Sequence, residues 1–186
     1  MNAAIICAQG LEECEALLTY DLLHRAGVNV ELLGLDLTIT SSHNVTFNVH
    51  KLLKEVNILD YDCLVLPGGI PGTNNLEDDK DVQEAIDLFV KNQKLIAAVC
   101  AAPSILNHKG LLEDGKFTCY PGFEMKLDGA DYTADLFTID GNIITGKGPA
   151  ATLPYSYAIL EMLGAKDAAE ALREGMVYNY LMETKG

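Results

Sequence analysis

The chain alternates short apolar runs with longer amphipathic ones, and this alternation most narrows what it can fold into. Ala3–Cys7, Val28–Leu33, Cys63–Leu66 and Leu95–Val99 read as strands. Between them the spacing predicts helices over Glu15–Arg25, with acid in the first turn and Gly27 ending the segment, and over Asp79–Asn92, where Val82, Ala85, Ile86 and Phe89 share a face. A further helix follows Val99 at once and runs through His108. Leu136–Ile139 and Asn142–Thr145 flank Asp140-Gly141, a hairpin signal, and helices over Ala150–Leu163 and Asp167–Glu174 close the chain. Strands apolar on both faces need cover on both sides. The expected class is therefore α/β, a mostly parallel sheet with helices on both faces. Ligands bind such sheets beyond the carboxyl ends of the strands. That rule singles out Gln9–Glu15, Gly68–Gly72 and Cys100–Pro103.

At 186 residues, with no repeat, low-complexity tract or linker, the sequence reads as a single domain over residues 1–186. Thirteen Lys and Arg against 27 Asp and Glu leave a net charge of −14. Such a surface repels phosphates and anionic lipid, so neither nucleic acid nor a membrane is an expected partner. The longest apolar stretch, Leu95–Leu106, contains Pro103 and Ser104 and falls short of the ~20 residues a span needs. The opening residues lack a basic region and reach acid at Glu12, so no signal peptide is read and the expected location is cytoplasmic. Five cysteines cannot all pair; Cys7 and Cys63 fit the core as small hydrophobes. No Cys/His spacing suits zinc, and no cofactor is expected. Gly146-Lys147-Gly148-Pro149-Ala150-Ala151 imitates a dinucleotide fingerprint, but the segment after its helix reads as helix rather than the required strand.

Cys100 is the sharpest chemical feature. It follows the strand LIAAV directly, and Ala101-Ala102-Pro103 turns straight into a helix, with Ala98 and Ala102 leaving room for a tight elbow. A thiol facing unpaired N–H groups has its pKa lowered; the bland alternative is a core cysteine. No histidine pairs with it by position. His108 lies about 12 Å along the same helix, His24 ends the first helix, and His43 and His50 fall where a surface role is expected. None follows His108, so a triad in glutaminase order is unavailable. Glu12, Glu13 and Glu15 cluster on the same rim, either as a solvated helix start or with one carboxyl buried against the sulfur, its pKa raised. The loop Pro67-Gly68-Gly69-Ile70-Pro71-Gly72 lacks a P-loop ending. It instead fits close backbone approach, with the Gly69 N–H beside that of Ala101 as an oxyanion hole.

Three ordered motifs carry a resemblance: AQGLEECE (Ala8–Glu15), VLPGG (Val65–Gly69) with IAAVCAAP (Ile96–Pro103), and GKGPAAT (Gly146–Thr152). Together they resemble the ThiJ/PfpI superfamily, in its DJ-one-like (protein deglycase-like) branch, related in fold to class I glutamine amidotransferases. The resemblance implies a flavodoxin-like sandwich and a homodimer with Arg25 near the neighbouring subunit's pocket. It also implies a Glu15 that contacts Cys100. Where relatives with glyoxalase or deglycase activity carry a histidine before a proline, this chain has Tyr120-Pro121. A phenol donates hydrogen bonds but is a poor base at neutral pH. The implied activity is cysteine-dependent chemistry on small reactive dicarbonyls: Cys100 as nucleophile, Glu15 as proton shuttle, Gly69 and Ala101 as oxyanion donors, and Gly68 and Tyr120 in the pocket. The rival is a redox sensor in which an oxidant converts Cys100 to sulfinate. The missing histidine tilts the expectation toward weak turnover.

Overall fold

In a computed structural model describing residues 1–124 and 131–184, the apolar runs become strands of one sheet. The first half comprises β1 (Asn2–Cys7), α1 (Glu13–Arg25), β2 (Asn29–Gly34), β3 (Thr38–Thr40), β4 (Thr46–Asn48), β5 (Lys51–Leu52), β6 (Cys63–Leu66), α2 (Gly72–Asp78) and α3 (Lys80–Lys91). The second comprises β7 (Leu95–Val99), α4 (Pro103–His108), β8 (Lys116–Phe117), β9 (Asp131–Tyr132), β10 (Phe137–Asp140), β11 (Ile143–Gly146), α5 (Thr152–Met162), α6 (Lys166–Gly175) and α7 (Tyr178–Glu183). Seven strands pair in the order β10-β11-β7-β6-β1-β2-β5, all parallel except the β10–β11 hairpin.

The expected α/β sandwich is what forms. Successive side chains of β1, β6 and β7 feed two cores, as a two-residue period requires. Ile5, Cys7, Val65 and Val99 pack with Leu22 and Leu23 of α1 and Ile159 of α5. Ile6, Leu64, Ile96 and Ala98 pack with Leu76 of α2, Phe89 of α3 and Ile105 of α4. Asp79 caps α3 by accepting from the N–H groups of Asp81 (2.9 Å) and Val82 (3.1 Å). Cys7 and Cys63 are buried and unpaired, as small core residues.

Several details depart from the sequence expectation. Asp140 pairs with Ile143, so the hairpin turn is Gly141-Asn142, one residue later than Asp140-Gly141. The end of the Gly-rich loop continues as α2, and residues 38–48 form the β3–β4 hairpin. The helix after Val99 begins only at Pro103, because Cys100 has φ +64°, a left-handed conformation no helix contains.

The chain lays down β1 and β2, then crosses back to place β6 on the other side of β1. That reversal opens a crevice at the carboxyl ends of β1 and β6, with β7 alongside. The segments after those three strands hold Glu15, Gly68 with Gly69, and Cys100.

Phe89 is fully buried against the second core, whereas Val90 is 38% exposed. Phe89→Ala is expected to lower the unfolding free energy by ~3–5 kcal/mol. Val90→Ala should change it by about 0.5 kcal/mol or less. Urea titrations of both variants check this.

Candidate active site

Backbone contacts on both sides hold the elbow in place. The Cys100 N–H donates to the Gly146 carbonyl at the end of β11, and the Cys100 carbonyl accepts from the Tyr120 N–H, both at 2.9 Å. Ala98 and Ala102 are fully buried around it, so their small size is used. Gly68 makes the close approach possible. A Cβ on it would lie 2.6 Å from the Cys100 Cβ and 2.8 Å from Glu15 Oε2. Only glycine fits there.

Glu15 lies in the first turn of α1 and is entirely buried. Of the two alternatives for the acidic cluster, the inward-facing one holds for Glu15. Its Oε2 accepts from the Gly68 N–H at 2.8 Å, while Oε1 has no hydrogen-bond partner among the described residues. The carboxyl stands beside the Cys100 thiol. Burial pushes Glu15 up from 4.5 to about 7; the Gly68 N–H and the thiol oppose this, and the Glu12 charge adds to it.

The expected lowering of the Cys100 pKa is overturned. Burial, followed by the charge of Glu15, pushes the thiol up and outweighs the N–H groups of Gly69 and Ala101 that favour the thiolate. The physical reason is that the elbow lies inside the protein, and α4 is a six-residue helix beginning three residues later. Two buried acids in contact cannot both ionise readily, so the pair holds one proton between them. A protonated Glu15 is neutral and can donate to sulfur, leaving the two N–H groups to face a thiolate. Those N–H groups, expected to serve an oxyanion, are directed at the sulfur itself in the substrate-free protein.

Above the pair is a cleft of about 350 Å³, bounded by Cys100, Ala101 and Gly69 and by Glu12, His43, Ile70 and Tyr120. Tyr120 is half exposed and meets Phe123 edge-on, with ring centroids 6.5 Å apart. It lines the cleft. Arg25, expected near the neighbouring subunit's pocket, lies about 15 Å along α1 from Glu15 and pairs with Asp21 at 2.7 Å.

His43 is a surface residue, as expected, that also lines the cleft. It sits at the cleft mouth, with Nδ1 3.1 Å from Glu13 and 3.5 Å from Glu12. Its position depends on the β3–β4 hairpin, which the sequence pattern does not announce; the polar turn Ser41-Ser42-His43-Asn44 is the nearest thing to a signal. The other histidines are engaged elsewhere. His50 Nδ1 accepts from the Leu32 N–H at 2.9 Å, His24 stacks on Tyr20, and His108 pairs with Glu77. Glu12, Glu13 and His43 place three ligand-type atoms within 4.8 Å of one another, but hydrogen bonding between imidazole and carboxylates already accounts for that grouping.

Residues 1–162 match the DJ-1/PfpI family. DJ-1beta of Drosophila melanogaster is 31% identical over 183 residues, spanning 96% of this chain and 98% of that protein, and its crystal structure superposes with a TM-score of 0.90. A deglycase of Pyrococcus abyssi is 30% identical over 166 residues, covering 88% of this chain and 99% of the relative. The structure of an oxidised Toxoplasma gondii DJ-1 matches with a TM-score of 0.89 and 27% identity, over 95% of this chain and 97% of that one.

Two consequences follow for the buried pair. An unfolded glutamate ionises near its ordinary 4.5, whereas folded Glu15 holds its proton to about 7. Between these values the folded state binds the extra proton, so stability falls as pH rises and the full cost is present above about 7. Glu15→Gln should match wild type near pH 4 and exceed it at pH 8 by up to about 3 kcal/mol, on the order of 1.4 kcal/mol per unit; denaturant titrations across pH check this. Gly68→Ala should destabilise by ~1–3 kcal/mol through overpacking. It should also change the alkylation rate of Cys100, measured by peptide mapping, because Glu15 and the sulfur must move apart.

Proposed function

The chain belongs to the DJ-1/PfpI family, and from that premise we propose that it detoxifies small reactive dicarbonyls in a glyoxalase- or deglycase-like reaction. The observation that carries this reading is the buried Cys100–Glu15 pair at the floor of a cleft large enough for a small aldehyde. The naming of the Pyrococcus relative as a deglycase supports the substrate class. As in the sequence expectation, Cys100 is the nucleophile and Glu15 the proton carrier.

With methylglyoxal, the Cys100 thiolate adds to the aldehyde carbon. A C–S bond forms, and the former carbonyl oxygen takes the proton held by Glu15, giving a hemithioacetal. The N–H groups of Gly69 and Ala101 turn from sulfur to the developing oxyanion. Glu15 carries the proton from the aldehyde carbon to its neighbour and the hydroxyl proton passes to the ketone oxygen, so one carbon is oxidised as the other is reduced and a lactoyl thioester results. Hydrolysis then releases lactate and restores the thiol. No external oxidant or reductant is needed. A homodimer in which Arg25 reaches the partner's cleft belongs to the same proposal.

One observation favours a second reading. The oxidised Toxoplasma relative shares this fold, and the N–H groups that stabilise a thiolate also suit its reaction with peroxide. Two peroxide molecules would each deliver one oxygen to sulfur and leave as water, giving a sulfinate.

The two readings separate in one experiment. Purified protein is incubated with methylglyoxal while lactate is assayed and the mass of the Cys100 peptide is followed. Enzymatic lactate formation, lost in Cys100→Ser, is expected. Absence of lactate, together with a gain of two oxygens on Cys100 under mild peroxide, would instead establish the sensor.

A further inference from the structure

An imidazole is the side chain whose ordinary range suits acid–base work near neutrality, and His43 shares the cleft with Cys100. Its placement is built rather than incidental. The turn between β3 and β4 is pinned by the Ser42 N–H donating to the Leu11 carbonyl at 2.8 Å, which ties it to the loop after β1. Within the turn, the Val45 N–H donates to Ser41 Oγ at 3.0 Å, and Asn44 adopts φ +66°. The imidazole is thereby held against the start of α1, where Nδ1 faces Glu13, Glu12 and the Ser42 hydroxyl. Carboxylate acceptors at Nδ1 fix the ring proton there and leave Nε2 as the basic nitrogen. No hydrogen bond engages Nε2 among the described residues.

The burial of the two proton-handling groups differs sharply. Glu15 is wholly enclosed behind the sulfur, whereas the His43 side chain is 66% exposed at the mouth, where water enters. Glu15 is well placed for proton transfer within a bound substrate and poorly placed to activate solvent. Tyr120 supplies no base. The dicarbonyl reading, on which this inference rests, needs a base at its last step, thioester hydrolysis.

We propose that His43, held by Glu13 and Glu12, is the general base that activates water for hydrolysis of the acyl thioester on Cys100. The water oxygen bonds to the thioester carbon as its proton passes to Nε2. The C–S bond breaks with its electron pair on sulfur, so Cys100 leaves as thiolate and the product is the free acid. The proton on His43 returns through solvent to the Cys100–Glu15 pair.

The groups facing His43 are Glu13 and Glu12 at the start of α1, Ser42 in its own turn, and Cys100 and Tyr120 across the cleft. The Glu13 hydrogen bond and charge, then that of Glu12, hold the imidazole above its ordinary 6.5. Hydrolysis requires the unprotonated ring, so its rate should rise with pH through that raised value. Weakening the carboxylate influence should move the rise toward acid.

The test combines steady-state lactate formation from methylglyoxal with hydroxylamine trapping, which captures a thioester on Cys100 but not a hemithioacetal. His43→Gln is expected to lower kcat about a hundredfold while the hydroxylamine-labile adduct still forms and now accumulates. Glu13→Gln is expected to shift the pH limb of kcat to lower pH. Wild-type kcat and pH profile in His43→Gln would overturn the assignment and leave the dicarbonyl reading intact, as would a slower variant that accumulates no thioester. A wild-type protein that forms neither lactate nor adduct would overturn that reading and this inference with it.

Discussion

The site depends on one constraint: two acidic groups, a carboxyl and a thiol, are buried in contact and can keep only one negative charge between them. Everything nearby serves that contact. Gly68 has no side chain, so the backbone passes within a methyl group's width of both partners and gives its N–H to Glu15. Cys100 accepts a left-handed backbone that costs on the order of 1–2 kcal/mol. The neighbouring Gly146 carbonyl and Tyr120 N–H hold it there through both of its backbone polar groups. The strain is affordable because the elbow joins a central strand, buried on both faces, to a segment packed beneath it.

The layered fold is legible because its causes are local and repetitive. Ile5, Val65 and Ala97 can only be strand residues covered on both sides, and once β1, β6 and β7 are parallel neighbours their carboxyl ends must meet. Glu15, Gly68, Gly69 and Cys100 follow from that geometry alone. What escapes the sequence depends on short elements whose signals are weak. The β3–β4 hairpin has three residues per strand, too few for alternation to stand out, yet it decides where His43 lies. The elbow itself is readable, but its electrostatics are not. The sequence displays a strand, a turn and a helix start, and hides the loss of water around the sulfur, which is the larger effect.

Arg25 marks another limit of reading one chain. Its guanidinium satisfies Asp21 on its own helix, and among the described residues no other ion pair engages it. A part for it in the pocket depends on a second copy bringing its helix alongside. An exposed i,i+4 pair is weakly held, so such a contact would face little resistance in recruiting it.

Glu12 links Glu15 and His43 in a way neither shows alone. It is nearly buried at the junction of the β1 loop with α1, and its charge favours the protonated form of both Glu15 and His43. Glu15 starts as a carboxylic acid and His43 as an imidazole, roughly two units apart in their ordinary values. Burial moves Glu15 strongly upward, while neighbouring carboxylates move His43 in the same direction. Both shifts favour holding the proton, at Glu15 inside the protein and at His43 on its surface. The proposed reaction takes up a proton at the floor of the cleft and releases one at its mouth, and two proton-holding groups at those depths suit it. The same carboxylates would repel an anionic substrate at the entrance, whereas an uncharged dicarbonyl meets no such barrier.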